Sequence, residues 1–320
     1  LAESLSGAGV VAVSPARRSG NNRLYRVDTA QGPLALKLYP RLAGDARDRL
    51  GAEFGALSFL VRHGVQDVPQ ALGKDVSAGA GLYGWVDGGV VGPPTDADLD
   101  ALAAFACRLK MLSSEPDAFR LPLASEACLS ADELIAQVER RFARLHEISG
   151  HPELSGFLER EVAPVLAAAS VAARAAIASG RELPRDLWTL SPSDFGFHNA
   201  LRQGDGRLVF LDFEYFGWDD PVKLAADVLL HPGMGLDRDQ GRRFLAGLDP
   251  LRAGDDGFSQ RLSAVLPLYA LRWCMIVLNE FLPERWARRL AAGEDGAGAD
   301  VRSRQLAKAY GLLARAADML

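Results

Sequence analysis

The chain has 320 residues, 48% hydrophobic and 24% charged, with a formal net charge of −5. This is a globular composition long enough for two packed lobes, and the acidic balance, with Arg17-Arg18, Arg140-Arg141 and Arg288-Arg289 scattered, leaves no basic patch for a nucleic-acid partner. Three cysteines far apart, Cys107, Cys128 and Cys274, match neither a disulfide framework nor a zinc site and point to a reducing, cytoplasmic compartment.

The first residues, LAESLSGAGVVAVS, lack the basic start and apolar core of a signal sequence. Val10 to Val13 is a short β-like run, and the polar stretch after it ends in Gly20, Asn21 and Asn22. Arg23 to Val27 alternates as a strand does, Gln31-Gly32-Pro33 is a turn, and Leu34 to Tyr39 reads as a third strand with Lys37 inside it. Asp45 to His63 has helical periodicity, contains Glu53 and is followed by Gly64, a residue suited to a helix C-cap. Val68 to Leu72 and Gly81 to Val86 are two more expected strands, the second broken by Asp87-Gly88-Gly89.

From Asp96 the pattern turns helical. Helices are expected over 96–112, 130–148 and 153–178, with Ser130 and Glu133 spaced as a capping box, then over 221–230, 237–248, 258–292 and 299–320. The most apolar run, Leu262 to Leu282, carries Pro267, Arg272 and Glu280, so no membrane span is expected. The fold class is therefore α+β. An N-terminal antiparallel-sheet lobe with one helix, residues 1–88, precedes a larger helical lobe, residues 89–320, with Gly and Pro clustered at the join.

Leu190 to Pro221 is the most informative stretch. Asp194 is followed five residues later by Asn199, and Asp212 comes directly after the apolar run Leu208 to Leu211. Gln203-Gly204-Asp205-Gly206 breaks two short runs as a hairpin turn does. Phosphoryl transfer needs an acceptor oxygen held in line, a carboxylate to take its proton, and cations to offset phosphate charge. Asp194 is the candidate base, while Asn199 and Asp212 offer the hard oxygen ligands that Mg²⁺ prefers. Singly, each is also a common turn former or strand end.

Lys37 supplies the second half of the argument. A lysine inside an apolar strand is costly unless paired, and Glu53 in the following helix is the candidate partner for a lysine gripping nucleotide phosphates; the alternative is a side chain snorkelling to the surface. The loop holding Gly20, Asn21 and Asn22 is a candidate phosphate loop, although a plain hairpin loop fits its composition equally. Gly84 to Val86, leading into Asp87, stands where a hinge would offer backbone groups to adenine.

On these residues the chain resembles the aminoglycoside phosphotransferase and choline kinase-like family, small-molecule kinases with the protein kinase-like fold. The resemblance runs from about Val10 to Leu282 and is strongest over Ser191 to Pro221. It implies Asp194 as catalytic base, Asn199 and Asp212 as Mg²⁺ ligands, Lys37 as the phosphate lysine with Glu53 beside it, and Glu214 as a second acidic residue reaching metal through water. The family usually has His-Gly-Asp where this chain has Pro192-Ser193-Asp194; His198 is a candidate for part of the missing histidine's structural work. The implied cofactors are Mg²⁺ and ATP, and the residues do not choose between ATP and GTP.

Candidate substrate contacts are Trp218, Asp219, Trp273 and Glu280. Trp273 and Glu280 are seven apart and would share a helix face, while core packing is the other reading of Trp273. Asp220 before Pro221 suits a helix cap. The expected activity is transfer of the ATP γ-phosphate to a hydroxyl of a sugar, amino alcohol or aminoglycoside-like molecule. A protein kinase is disfavoured, because Asp212-Phe213-Glu214 replaces Asp-Phe-Gly and runs almost directly into the next helix. The rival from another class is a nucleotide-binding regulatory module without turnover, motivated by Pro192.

Overall fold

The structure, a computed structural model, describes residues 1–16, 22–40, 47–177, 180–286 and 298–320. In chain order, α1 (Ala2–Ser6) precedes β1 (Val10–Pro15), β2 (Arg23–Thr29) and β3 (Gly32–Leu38). Helix α2 (Arg49–Arg62) leads to β4 (Ala71–Asp75), β5 (Ala80–Gly84), the short β6 (Gly89–Val90) and α3 (Asp96–Leu112). Then come α4 (Ala131–His146), α5 (Pro152–Phe157) and α6 (Ala163–Ala176). Four short strands follow, β7 (Thr189–Ser191), β8 (Ala200–Arg202), β9 (Leu208–Phe210) and β10 (Gly217–Asp219). The last helices are α7 (Pro221–Leu230), α8 (Arg238–Ala246), α9 (Phe258–Val277) and α10 (Gly298–Asp318).

Contacts divide the chain into two units, one of Leu1–Ala127, Trp188–Asp219 and Arg238–Leu251, the other of Cys128–Leu187, Asp220–Asp237 and Arg252–Leu320. The first unit includes α3, the β8–β9 hairpin and α8. Its main sheet is antiparallel, ordered β1-β2-β3-β5-β4. Leu34, Leu36 and Leu38 pack with Ala2, Val27, Ala80 and Leu82. Side chains alternate along a strand, so this packing turns Lys37 to the opposite face.

Helix α2 starts at its Asp48 cap, whose side chain accepts from Gly51 N–H. It ends at His63, and Gly64 follows at φ 74°, a conformation that glycine adopts without steric cost. The expected start at Asp45 lies outside the described residues. Helix α3 carries a capping box that sequence spacing did not single out, with Thr95 and Asp98 exchanging bonds. At Ser130 only half of the expected box forms, the side chain accepting from Glu133 N–H. The β8–β9 hairpin closes through Gln203 N–H donating to Arg207 C=O at 2.9 Å. Strands β7 and β10 pair to form a second ladder, and Gly217 is required there because a Cβ would strike the backbone of Pro122 to Ala124.

In the second unit α9 packs against α4, α6, α7 and α10. The segment Phe258–Phe281 reaches a mean hydropathy of 1.5 and by length and composition passes for a membrane span, but 61% of that apolar window is buried. This is how the core helix of a globular unit scores. Two expected helices differ in detail. The one expected through Ala292 is interrupted after Val277 by a 3₁₀ turn, Leu278–Phe281; residues 283–286 are helical again and 287–292 lie outside the described residues. The one expected over 153–178 starts at Pro152 and contains a π-helical segment at Leu158–Val162.

Candidate functional site

In the first unit Lys37 is the hub of a buried polar cluster. Its Nζ donates to Glu53 Oε2 at 2.6 Å and to Asp212 Oδ1 at 2.6 Å, and lies 3.9 Å from Glu214 Oε2. The first partner is 16 residues away in sequence and the second 175. Burial disfavours the charged ammonium, but Glu53, Asp212 and Glu214 outweigh it and raise the lysine pKa above its ordinary value. Burial likewise pushes the Glu53 carboxyl up, against the pull of Lys37.

Tyr39 Oη also donates to Glu53 Oε2, at 2.6 Å, and sits 2.8 Å from Tyr83 Oη. Burial, then the neighbouring Glu53 charge, raises the pKa of the Tyr39 hydroxyl, which keeps it a donor. Asn22 Nδ2 donates to Glu214 Oε2, and Arg49 donates to Asn22 Oδ1 and to Pro40 C=O. Glu53 and Glu214 are thus each held by more than one group.

The Asp194 loop is built under backbone strain. Ser193 has φ 67° and Asp212 φ 64°, so two of the three non-glycine residues with positive φ among those described flank or form the site. Asp194 N–H donates to Pro192 C=O at 2.9 Å, which closes a γ-turn of the strained, positive-φ kind centred on Ser193. This is a conformation a glycine adopts freely. Here the serine is held by two bonds of its own, from its N–H to Ser191 Oγ and from its Oγ to Ser125 C=O.

Asn199 Nδ2 donates to Asp194 C=O at 2.9 Å, and His198 Nε2 lies 2.9 Å from Asp194 Oδ1. Leu211 N–H donates to Asn199 C=O at 2.8 Å, which ties the approach to Asp212 to the same loop. Beneath lies an aromatic cluster. Phe105 of α3 meets Phe195, Phe210 and Phe213, with ring centroids 5.7, 4.3 and 6.3 Å away. These rings alternate with the polar site residues in sequence, so packing them fixes where Asp194 and Asp212 emerge. Arg202 of the hairpin grips Asp98 of α3 through two bonds of 2.6 and 2.7 Å, which anchors the hairpin from its other side.

The donor chemistry suits a hard divalent cation. Glu53, Asp212 and Glu214 each present an oxygen, all within 4.8 Å of one another, around a single ammonium. Asn199, donating through its nitrogen, has its amide oxygen to offer elsewhere. Oxygen donors with surplus negative charge are what Mg²⁺ requires.

The other expected site residues are placed as follows. Gly20 and Asn21 lie outside the described residues, while Asn22 is buried against Glu214. Gly84 ends β5 with its N–H donating to Gln70 C=O at 2.8 Å, and Val86 lies between β5 and β6. Trp218 and Asp219 do not offer a substrate surface. Trp218 is 3% exposed with its indole N–H on Ala118 C=O, and Asp219 is fully buried in β10. Their strand pairs with β7, and this pairing gives no local sequence signal.

In the second unit Asp220 caps α7 by accepting from Val222 N–H, as its position before Pro221 suggests. Trp273 donates to Asp227 Oδ1 at 2.9 Å and meets the His231 ring edge-on, so its polar edge is committed to packing. Glu280 stands in the 3₁₀ turn after α9, so the seven-residue spacing does not put it on a shared α-helical face with Trp273. Sequence reasoning missed Tyr39 and Tyr83. Tyr39 follows Lys37 by two residues, the spacing of one strand face, and that was the available signal.

An antiparallel sheet presenting a Lys-Glu pair, an Asp-Asn loop and an aspartate after a hairpin defines a protein kinase-like fold. The profile of the phosphotransferase enzyme family matches residues 13–258, and the chain belongs to that family. Solved structures agree on the fold. The spectinomycin phosphotransferase APH(9)-Ia, in complex with ADP and spectinomycin, aligns with a TM-score of 0.66 at 10% identity over 99% of this chain and 96% of that one. Choline kinase LicA from Streptococcus pneumoniae aligns with a TM-score of 0.62 at 15% identity, covering 98% and 97%. APH(2")-IIa, solved in complex with gentamicin, aligns with a TM-score of 0.60 at 14% identity, covering 96% and 92%. No curated protein matches the chain closely enough to count.

Proposed function

We propose that the protein transfers the γ-phosphate of ATP to a hydroxyl of a small molecule, a sugar, amino alcohol or aminoglycoside-like compound. The observation that carries this reading is Lys37 Nζ bound at once to Glu53 and Asp212, from two elements far apart in sequence. In it Lys37 contacts the phosphates, Glu53 holds Lys37, and Tyr39 holds Glu53. Asn199 and Asp212 hold Mg²⁺, which when bound offsets charge on the phosphoryl oxygens. Asp194 orients the acceptor hydroxyl and takes its proton. The stretch from Gly84 to Val86 faces the base of the nucleotide, with the Gly84 N–H already committed to the sheet. Asn22 belongs with Glu214 in the wall of the phosphate site, next to the loop that holds Gly20 and Asn21.

The domain division that goes with this reading is a nucleotide-binding part, residues 1–88, and a catalytic and substrate-binding part, residues 89–320. Structures with this fold solved with ADP and spectinomycin, or with gentamicin, are in keeping with a small-molecule acceptor. Trp273 and Glu280 remain candidates for acceptor contact in the second unit, while the burial of Trp218 and Asp219 takes them out of the set.

Thermal-shift screening tests the reading, with Mg·ATP, Mg·GTP and a library of sugars, amino alcohols and aminoglycosides. A ligand that binds the native state raises its melting point by mass action, by about 2.7 kcal/mol of stabilisation at a hundred times Kd. A nucleotide shift, one acceptor hit and phosphate transfer to that acceptor are expected. Nucleotide binding with no transfer to any acceptor favours a regulatory module, and no nucleotide shift overturns both.

A further inference from the structure

We propose that His198 is a positioning residue that sets the orientation of the Asp194 carboxylate. This rests on reading Asp194 as the base. His198 Nε2 lies 2.9 Å from Asp194 Oδ1, four residues on and within the same loop. A carboxylate oxygen accepts, so in this proposal the imidazole donates to it from Nε2. An aspartate carboxylate turns about χ1 and χ2, and a fixed donor to one oxygen restricts both.

The donor is itself fixed. His198 sits in the 3₁₀ turn Phe197–Asn199, between the buried Phe197 and the Asn199 that bonds the Asp194 carbonyl. Phe195, on the other side, is stacked on Phe105. The His198 side chain is 18% exposed and that of Asp194 35%, so the donor is sheltered while the acceptor remains open to solvent. The chain thus holds Asp194 at two points, the backbone carbonyl by Asn199 and the carboxylate by His198. A group held this way enters the reaction preoriented, and misplacing it by about 1 Å costs up to ~10²-fold in rate.

The test compares wild type, Asp194→Ala, His198→Ala and His198→Gln, each with the acceptor found by screening. Glutamine places an amide N–H near the position of Nε2. His198→Ala should lower kcat about 10- to 100-fold with KM for Mg·ATP and the melting point nearly unchanged, and His198→Gln should restore most of the loss. Wild-type kcat in His198→Ala overturns the proposal, as does equal loss in both His198 variants. If no Asp194-dependent turnover is found, the phosphotransfer reading fails by itself. Imidazole ¹⁵N spectroscopy then decides the His198 contact. A Nε2–H tautomer whose signal moves in Asp194→Ala supports it, and a Nδ1–H tautomer indifferent to that change overturns it.

Discussion

Lys37→Met removes the one ammonium among three clustered carboxylates. At 2.6 Å each direct pair corresponds to about 6 kcal/mol of Coulomb attraction at an effective dielectric of ~20, before the desolvation that offsets most of it. The net cost of breaking a buried pair from one side is about 3–5 kcal/mol, because the remaining charge stays buried and unpaired. The structure says where that cost falls. The Glu53 side chain is 6% exposed and has no route to hydration, whereas that of Asp212 is 27% exposed and can recover water. Replacing Glu53 as well should therefore relieve much of the penalty, and glutamine retains an oxygen for Tyr39 Oη. Equilibrium urea unfolding of wild type, Lys37→Met, Glu53→Gln and the double variant closes a cycle. Lys37→Met should cost about 3–5 kcal/mol, and the coupling to Glu53→Gln should be favourable by about 1–3 kcal/mol. A cost under about 1 kcal/mol, or a double variant equal to the sum of the singles, would refute the claim that Lys37 is the buried counter-ion of this cluster.

Three further outcomes are expected. Asp194→Ala should leave Mg·ATP binding intact by calorimetry and cut turnover by at least ~10²-fold, the scale of a lost general base; near-wild-type turnover would remove Asp194 from that role. Asp212→Ala should make nucleotide affinity insensitive to Mg²⁺, measured by titration with and without the metal, and an unchanged Mg²⁺ dependence would count against Asp212 as ligand. Trp218→Phe deletes the bond to Ala118 C=O and should cost about 1–3 kcal/mol of stability with acceptor KM unchanged, whereas a large KM effect would restore Trp218 to the substrate surface.

The parts of the site legible in the sequence are those carried by short segments. Asp194, Asn199 and Asp212 sit around one hairpin, and hairpin signals are local. Lys37 was legible because a charge interrupts an apolar strand, Glu53 because it lies in the helix that follows, and the fold added Asp212 to the pair. What escaped depends on approach between distant segments. The Phe105 cluster joins α3 to three rings of the hairpin region, and no periodicity marks such a contact. The burial of Trp218 and Asp219, expected as substrate contacts, follows from the β7–β10 ladder and a parallel bridge from Leu123 to Trp218, which are invisible locally. The 3₁₀ break after Val277 has no local signal because apolar periodicity continues across it.

The first unit is assembled from three separate pieces of chain, the last of which ends at Leu251. A nascent chain that has exposed only the sheet and α2 can form the Lys37–Glu53 contact, 16 residues apart, long before Asp212 has been translated. At ~5–20 residues per second that interval lasts roughly eight to thirty seconds, during which a buried-type lysine and glutamate wait without their third partner. Synthesis order thus makes the closing of this cluster a late event, and slow codons or chaperone capture between residues 90 and 210 would act on the interval in which the half-built sheet is exposed.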